Sequence, residues 1–331
     1  MTTDLRTFLQ AADPAEELAG YSPTTAQALV DRIVGDSAAY RAHRPRPRAR
    51  AGLTAGLAVA ALVVGVLVVS DRFGPPGASD AARAVLGQAA AQAADPPARA
   101  DQWWRIASTG VDRDGVARVQ TTYVAVDDSR PSVIVEETYA AGLTGGRTSR
   151  SVRGMDLAPS QLPGTWQAPN AAFLASLPRD VPSLTERLRT DTAGHGQSPD
   201  GEVVVYITDV LRSGLVPADL RAALYAVLQT VPGIDIGRPQ AVAGRRTGVV
   251  VAYHETLGAM APFTQELLID PTTGELLASR EVPRDGQAPW GGLMERAVVD
   301  EIPAEVRSEL VVLHCWVIAS EGVGCQAPRG I

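Results

Sequence analysis

The side chains that most often take part in catalysis are sparse in this sequence of 331 residues. It has 4 histidines, at His43, His195, His254 and His314. It contains no G-x-S-x-G nucleophile motif, no H-E-x-x-H zinc motif and no glycine-rich phosphate loop. His195 lies in a predicted solvent loop, and His254 lies on a predicted strand as a surface residue. We therefore predict no enzyme activity, and no catalytic, cofactor-binding or metal-binding residue.

Pairs of adjacent acidic or aromatic residues do not predict a shared catalytic or binding site either. Asp127–Asp128 and Glu136–Glu137 are neighbours in sequence, and neighbours on a strand point to opposite faces. We predict solvated carboxylates at all of these positions. Trp103–Trp104 is divided between two faces in the same way, and packing in the core or at a sheet edge is the favoured interpretation for this pair.

The charge balance argues against nucleic acid as a partner. The chain has 37 acidic and 30 basic residues, a net charge of −7, whereas nucleic-acid binding requires a concentrated basic face. All the basic residues are arginine, and they cluster only once, interleaved with proline. The cluster consists of Arg41, Arg44, Arg46, Arg48 and Arg50.

An apolar segment of 20 residues, Ala51–Ser70, follows this cluster directly and has no charge. At about 1.5 Å per residue, a helix of this length spans the hydrocarbon core of a bilayer, about 30 Å. A buried core helix seldom runs so far without a polar face. A cleavable signal peptide is the stronger alternative, but 50 residues precede the segment and no clear A-x-A site follows it. We predict a transmembrane helix over residues 51–70.

The arginine cluster also predicts the orientation of this helix. Positive charge beside an apolar segment stays in the cytoplasm, so residues 1–50 are predicted inside and residues from about 71 outside. The predicted location is the plasma membrane, with a single pass and the lipid bilayer as a partner. Cys315 and Cys325, the only cysteines, fall in the exported part, where an even count indicates a disulfide. A zinc site that includes His314 is the alternative, but structural zinc needs four ligands.

The cytoplasmic segment, residues 1–50, is too short for a core of its own. Ser22 and Pro23 are typical of a helix start, and apolar residues follow at helical spacing. An amphipathic helix without a packing surface indicates a partner protein or the membrane surface. The alternative is a solvated tail that only sets topology. The candidate partner-binding residues are Leu29, Ile33 and Val34.

The exported part shows patterns of strands, then helices, then strands. Residues 71–100 are predicted as a linker and an alanine-rich helix, and residues 101–331 as one extracytoplasmic domain. Short β-branched and aromatic runs predict a meander over 102–139, and apolar spacing predicts a helix over 218–230. Residues 202–212 fit either a strand or a helix. The predicted fold class is α+β, with a curved antiparallel sheet packed on two or three helices, preceded by the transmembrane helix.

Several stretches resemble a known family. They are AARAVLGQAAAQAAD followed by QWWRI, then LRAALYAVLQTVPGI, GRRTGVVVAY and ELLIDPTTGELLASR. Over about residues 40–285 the chain resembles an uncharacterised actinobacterial family of single-span membrane proteins, often encoded beside extracytoplasmic-function sigma factors. The exported part also resembles the half-barrel of envelope lipoprotein carriers and of sensors that regulate anti-sigma factors. The chain lacks a lipobox cysteine and the His and Cys pattern of zinc-binding anti-sigma domains.

The resemblance implies a non-enzymatic, anti-sigma-like or envelope-sensing regulator without a cofactor. Its outer domain would sense a ligand, and its inner segment would contact a cytoplasmic sigma factor or another regulator. The alternative is an anchored exported domain that binds an apolar ligand or a cell-wall component. The two hypotheses differ over residues 20–40, which have a partner in the first hypothesis and are dispensable in the second.

Overall fold

A long, mainly antiparallel sheet organises the part of the chain that the structure describes. The structure is a computed structural model, and it describes residues 77–111, 116–139, 146–237, 240–242, 246–255, 263–283, 290–318 and 322–327. The strands are β1 Trp103–Val111, β2 Ala117–Ala125, β3 Val133–Tyr139, β4 Arg147–Met155, β5 Ile234–Ile236, β6 Gln240–Val242, β7 Arg246–His254, β8 Phe263–Asp270, β9 Glu275–Pro283, β10 Trp290–Val299, β11 Val311–Ile318 and β12 Gly322–Gln326. The helices are α1 Asp80–Gln92, α2 Ala171–Ser176, α3 Val181–Asp191, α4 Pro199–Arg212, α5 Ala218–Leu228 and α6 Ala304–Ser308.

Two antiparallel meanders lie side by side in this sheet. The first contains β1 to β4 and the second β7 to β10, and β1 pairs with β10 where they meet. The spatial order is β12-β11-β4-β3-β2-β1-β10-β9-β8-β7-β5, with β6 also paired to β7. Among the described strands, only β11 and β4 pair in parallel. The order therefore ends at β12 on one side and at β5 on the other.

The main core lies between the helices and the β7–β9 part of the sheet. Leu86, Leu188, Ile207 and Leu224, one from each of α1, α3, α4 and α5, are fully buried in it. Burial of such side chains contributes roughly 1.5–3 kcal/mol each, so this layer is the main source of stability. The sheet contributes Val251, Leu267 and Ile269 to the same core.

Helix α4 resolves the segment whose sequence fits either a strand or a helix. Ser198 is its N-cap and accepts the N–H of Gly201 at 2.9 Å, and Pro199 lies in the first turn. A strand would place Val204 and Ile207 on opposite faces, whereas the helix buries both of them. The cap and the burial of one apolar face favour the helix.

A smaller core on the first meander positions the end of the chain. Helix α6 follows β10 and packs on β2, β3 and β4, and it leads directly into β11. This placement brings β11 beside β4, where the parallel pairing begins. The buried residues of this core are Tyr123, Val133, Val135, Val152, Ile302 and Val306.

The α+β class with a mainly antiparallel sheet is confirmed, but the expected number of helices was wrong. The described residues contain six α-helices rather than two or three, because α2 and α6 are short helices without a long apolar period. No described helix has the length and the apolar character needed to cross a bilayer. The predicted transmembrane helix over 51–70 lies outside the described residues. So do Arg41, Arg44, Arg46, Arg48, Arg50, Leu29, Ile33 and Val34.

Candidate functional site

The last two strands form a hairpin that extends beyond the rest of the sheet. β11 pairs with β4 only over Val311–Leu313, opposite Arg153–Met155. From His314 to Ile318 it pairs with β12 instead. Within the described residues β12 has no second neighbour, so its outer edge is free. A free edge presents unpaired backbone N–H and C=O groups, which is the usual template for the addition of another strand.

Exposed apolar side chains are concentrated on this hairpin. Among the described residues, the large hydrophobic side chains classed as exposed are Val312 at 46%, Trp316 at 44%, Val317 at 47% and Val323 at 37%. All of them lie on β11 or β12. Val317 and Val323 are directly opposite each other across the two strands, whereas Val312 and Trp316 lie on the other face of β11. An apolar surface collected on one exposed element indicates an interaction site.

Two contacts hold the hairpin in one conformation. Cys315 and Cys325 are directly opposite each other, with Cα atoms 4.1 Å apart and sulfurs at disulfide distance, which supports the predicted bond. The indole of Trp316 lies over Gly324, where a Cβ atom would come within 2.8 Å of the ring. Only glycine at position 324 therefore lets the tryptophan rest flat against β12.

Asp156 ties the base of the hairpin to the end of β4. Its Oδ1 accepts the backbone N–H of Cys315 at 2.7 Å, and its Oδ2 lies 2.6 Å from Nδ1 of His314. These two contacts lower the pKa of Asp156. His314 is exposed here, and within the described residues no group of three or more His, Cys, Asp and Glu side chains is arranged to hold a metal ion. No local sequence pattern marks Asp156, because its partners are more than 150 residues away.

A buried pair at the start of α4 resembles an activated nucleophile but acts as a helix cap. The Oγ of Ser198 donates to Oε2 of Glu255 at 2.5 Å and lies 3.2 Å from the hydroxyl of Tyr253. Ser198 is 4% exposed and Glu255 is 1% exposed. The same Oγ accepts the N–H of Gly201. Since substrate cannot approach a buried hydroxyl that is already bonded on both sides, this cluster supports the fold.

A second candidate region is a small cleft beside two arginines, Arg221 on α5 and Arg296 on β10. Asp95 joins them: its Oδ1 accepts from Arg296 at 2.8 Å and from Arg221 at 3.3 Å, and its Oδ2 accepts the N–H of Ala218 at 2.7 Å. Burial works to raise the pKa of Asp95, but these donors hold it below its usual value. The guanidinium of Arg296 stacks on Trp104 at 3.8 Å. The pKa of Arg296 is lowered by burial and by the charge of Arg221.

The cleft itself has a volume of about 40 Å³. Arg221, Arg296 and Glu275 are its charged neighbours, together with Glu295, which pairs with Arg105 at 3.7 Å. Within the described residues the Nε atoms of Arg221 and Arg296 are buried and have no hydrogen-bond partner. The apolar lining consists of Ile106, Leu211, Val216, Leu276 and Met294.

The acidic pairs noted in the sequence have different roles in the structure. Glu136 pairs with Arg118 and Arg153, and Glu137 pairs with Arg147 and Arg150, on opposite faces of β3 as predicted. The prediction of a solvated carboxylate was wrong for Asp128, which is 6% exposed. Its Oδ2 accepts the N–H of Ala171 at 2.7 Å, so it holds the start of α2.

The tryptophans and histidines are placed as the strand pattern predicted. Trp103 packs on the smaller core and under Arg130, with 4.2 Å from the guanidinium carbon to the ring centroid, whereas Trp104 faces Arg296. His254 is exposed at the end of β7 and contacts Thr264, and His195 lies in the loop before α4. None of these residues joins the hairpin or the cleft except Trp104.

Comparison with known proteins gives similar structures but no family. No protein-family model and no curated protein matches the chain. Similar solved structures include the MucA/MucB complex of Pseudomonas aeruginosa, with 16% identity, a TM-score of 0.30, and coverage of 75% of this chain and 64% of that chain. A MucB structure shares 17% sequence identity with this chain, with a TM-score of 0.29, and the match covers 77% of this chain and 66% of that chain. MucB in complex with MucA(peri) shares 15% sequence identity with this chain, with a TM-score of 0.28, and the match covers 75% of this chain and 61% of that chain.

The chain therefore spans less than two thirds of the length of these solved proteins. The resemblance to the actinobacterial family of single-span membrane proteins stays a prediction, since no family model matches.

Proposed function

We propose that this chain is a non-enzymatic, single-pass envelope regulator whose exported domain binds an extended strand of another protein at the β11–β12 hairpin. In this proposal residues 1–50 lie in the cytoplasm, residues 51–70 cross the plasma membrane and residues 101–331 lie outside. Leu29, Ile33 and Val34 contact a cytoplasmic sigma factor or another regulator. The main support is the apolar hairpin at the free end of the sheet.

The geometry of the hairpin suits strand addition. A partner strand paired to the outer edge of β12 gains backbone hydrogen bonds, and its alternate side chains cover Val323 and its neighbour Val317. The bond between Cys315 and Cys325 fixes the hairpin before binding, so little conformational entropy is lost on association. A fixed, apolar and unpaired edge therefore favours a protein partner with β structure.

The alternative function, shelter of a large apolar ligand, has less support. The cleft beside Arg221 and Arg296 has a volume of about 40 Å³. Pockets for drug-sized or lipid-sized ligands occupy roughly 300–1,000 Å³. The long acyl chain of a lipid would therefore not fit into this cleft without a large rearrangement of the helices around it.

Photo-crosslinking in native membranes tests the hairpin as a binding site. A photoreactive amino acid replaces Gln326, an exposed residue of β12, in the full-length protein, and a control probe replaces the exposed Glu186 on α3. We expect one protein adduct of defined mass from position 326 and none from position 186. Val317→Thr with Val323→Thr keeps the preference for a strand but removes apolar surface, so this variant should lose the adduct. Lipid adducts alone, or the same products from both probes, would exclude a protein partner here.

The inner half of the proposal requires a separate experiment. Residues 1–50 serve as bait in a pull-down from native membranes, beside a control in which Leu29, Ile33 and Val34 are changed to Ser. A sigma factor or another regulator retained by the native bait alone supports signalling across the membrane. If nothing specific is retained, the inner segment only sets topology, and the regulator part of the proposal fails while the hairpin result stands.

A further inference from the structure

The hydrogen-bonding pattern of the β11–β12 hairpin determines which backbone groups face its free edge. Cys315 and Cys325 are directly opposite each other with Cα atoms 4.1 Å apart, the short spacing of a non-hydrogen-bonded antiparallel pair. The N–H of Cys315 agrees with this, because it points towards the β4 side and donates to Asp156 at 2.7 Å. Residues of such pairs direct their N–H and C=O groups away from each other, so those of Val323 and Cys325 point outwards from the hairpin.

An antiparallel strand added to this edge has to match these two residues. Two of its residues pair with the outward groups of Val323 and Cys325 through about four backbone hydrogen bonds. The residue between them, the central residue, lies opposite Gly324 in a close pair with Cα atoms about 4.5 Å apart. Facing residues of neighbouring strands project to the same side of a sheet, so the central side chain lies on the face that carries Trp316.

The space for the central side chain is next to the indole of Trp316. A Cβ atom at position 324 would lie 2.8 Å from Cε2 and 2.9 Å from Cζ2 and Nε1 of the indole, so the N–H side of the ring reaches across β12. Gly322 and Gly324 have no side chain on this face. The central side chain therefore contacts the edge of the Trp316 ring, a residue that is 44% exposed.

The chemistry of this space favours an aromatic side chain. The edge of an aromatic ring is the positive part of its quadrupole and packs well against the face of a second ring. β11 and β12 contain no Asp, Glu, Lys or Arg, the charges that usually protect an edge strand from pairing. A charge on the incoming strand would therefore be buried against Val323 or Trp316 without an opposite charge. A side-chain amide can accept from the indole N–H, but its remaining polar atoms would lose water.

From these observations we infer that the β11–β12 hairpin selects an uncharged antiparallel strand whose central residue is aromatic and packs on the indole edge of Trp316. This inference rests on the proposed function, strand addition at β12, and adds the side chain that the partner carries. An aromatic pair of this kind should strengthen binding roughly two- to tenfold relative to an aliphatic central residue.

Synthetic peptides test the choice of the central residue. Each peptide has the sequence Thr-Val-Xaa-Val-Thr with blocked ends, which reads the same in both directions, and Xaa is Phe, Leu, Gln or Glu. Binding to the full-length protein in nanodiscs is measured by the fluorescence anisotropy of a dye-labelled Phe peptide and by competition with the unlabelled set. We expect the Phe peptide to compete best, the Leu peptide roughly two- to tenfold less well, the Gln peptide less well than the Phe peptide, and the Glu peptide not at all.

Variants of the hairpin make the test specific. Trp316→Leu should remove the preference for Phe over Leu while the Leu peptide still binds. Gly324→Ala should have the same effect, because its Cβ atom displaces the indole. Val317→Thr is the matched control on the opposite face, and it should weaken the Phe and Leu peptides by the same factor.

Methylated peptides test the hydrogen-bonding pattern separately. In the antiparallel arrangement the N–H groups of the two valines face β12, whereas that of the central residue points away from it. Methylation of both valine nitrogens should therefore abolish binding of the Phe peptide, and methylation of the Phe nitrogen should be tolerated. The opposite result would overturn the antiparallel pairing.

Three further results would overturn the inference. The first is a Gln or Glu peptide that binds more tightly than the Phe peptide, which would make the indole N–H the recognition group. The second is a preference for Phe that Trp316→Leu leaves unchanged. The third is the absence of competition by any peptide at about 1 mM while the photoreactive probe at position 326 still forms its protein adduct in native membranes. If that adduct is absent as well, the proposed function itself fails.

Discussion

At the scale of single residues, Asp128 shows how a carboxylate can be held in an unfavourable state by the fold. Its φ is 58°, a left-handed conformation that asparagine and aspartate adopt more readily than most residues. Burial and the charge of Asp127 raise its pKa, although the N–H of Ala171 works against them. A raised pKa in the folded state means that ionisation weakens folding, so stability falls as pH rises through this range.

Asp128→Asn should therefore be as stable as the native protein or more stable at pH 7. The amide oxygen still accepts the N–H of Ala171, and asparagine still adopts the positive φ. The advantage of Asp128→Asn should grow between about pH 3 and pH 7, because only the native residue ionises. Asp128→Ala loses the acceptor and should lower the free energy of unfolding by about 1–3 kcal/mol. Urea denaturation at both pH values measures these differences, and an Asn variant as unstable as the Ala variant would contradict the argument.

Asp95 has the opposite pH behaviour. Burial works to raise the pKa of Asp95, but Ala218, Arg296 and Arg221 lower it below the unfolded-state pKa of 3.8. The stability that Asp95 contributes is therefore present above pH 3.8. It is lost as the pH falls through the lower pKa of the folded state. Asp95→Asn leaves two arginines without their shared carboxylate and should cost about 3 kcal/mol at pH 7. The difference in the free energy of unfolding between Asp95→Asn and the native protein should become smaller below about pH 3. A deficit that stays constant with pH would mean that the carboxylate charge is not what holds the arginines.

At the scale of secondary structure elements, the contribution of the α4 cap to stability can be measured. Ser198 both caps the helix and donates to the buried Glu255, so Ser198→Ala removes two interactions at once. The free energy of unfolding should fall by about 2 kcal/mol or more. Ser198→Thr keeps a hydroxyl and is the matched control. Equal loss in the two variants, measured by thermal or urea unfolding, would show that packing rather than the hydroxyl stabilises this end of α4.

The β11–β12 hairpin should behave as a local unit. Closure of the loop between Cys315 and Cys325, a separation of 10 residues, stabilises by about 3 kcal/mol on the chain-entropy model. Strand pairing connects β11 to β4 only over Val311–Leu313, and Asp156 adds the contacts to His314 and Cys315. In the Cys315→Ser, Cys325→Ser variant, hydrogen exchange should accelerate strongly in β11 and β12 and very little in the central strand β1. Equal acceleration in β1 would mean that the hairpin is part of the cooperative core.

The sequence predicts some of these elements well and others poorly, for physical reasons. Helix α5 has a clear apolar period and lies in the main core, and the apolar runs of β2 and β3 supply Tyr123, Val133 and Val135 to the smaller core. β4 has one apolar side chain in its centre, Val152, and it is held through Arg150 and Arg153, which pair with glutamates of β3. Its strand character depends on partners far along the chain, which no local pattern reports. The cleft is equally hidden, since Asp95, Arg221 and Arg296 lie more than 70 residues apart from one another.

At the scale of the whole molecule, the hairpin and the proposed point of membrane attachment lie at opposite ends of the sheet order. The N–H of Ser79 donates to the carbonyl of Ile234 in β5, so the chain enters the domain at the β5 end. β12 is ten strand spacings away in this order, about 48 Å along the sheet at roughly 4.8 Å per strand. If residues 51–70 span the bilayer, residues 71–79 extend at most about 32 Å from it. The hairpin is then presented away from the point of attachment, where another envelope protein can reach it.

The disulfide provides an internal test of the predicted orientation. Cys315 and Cys325 lie at bonding distance, and a disulfide persists only outside the cytoplasm in ordinary cells. Replacement of all five arginines of the cluster over 41–50 by Ser removes the charge that is predicted to retain the N-terminus inside. Part of the protein should then insert in the reverse orientation. In that fraction both cysteines are reduced and react with a thiol-specific maleimide reagent after the cells are opened. The native protein should remain unlabelled without a reductant. Free thiols in the native protein would place the domain in the cytoplasm, because no other compartment on the predicted path keeps this pair reduced.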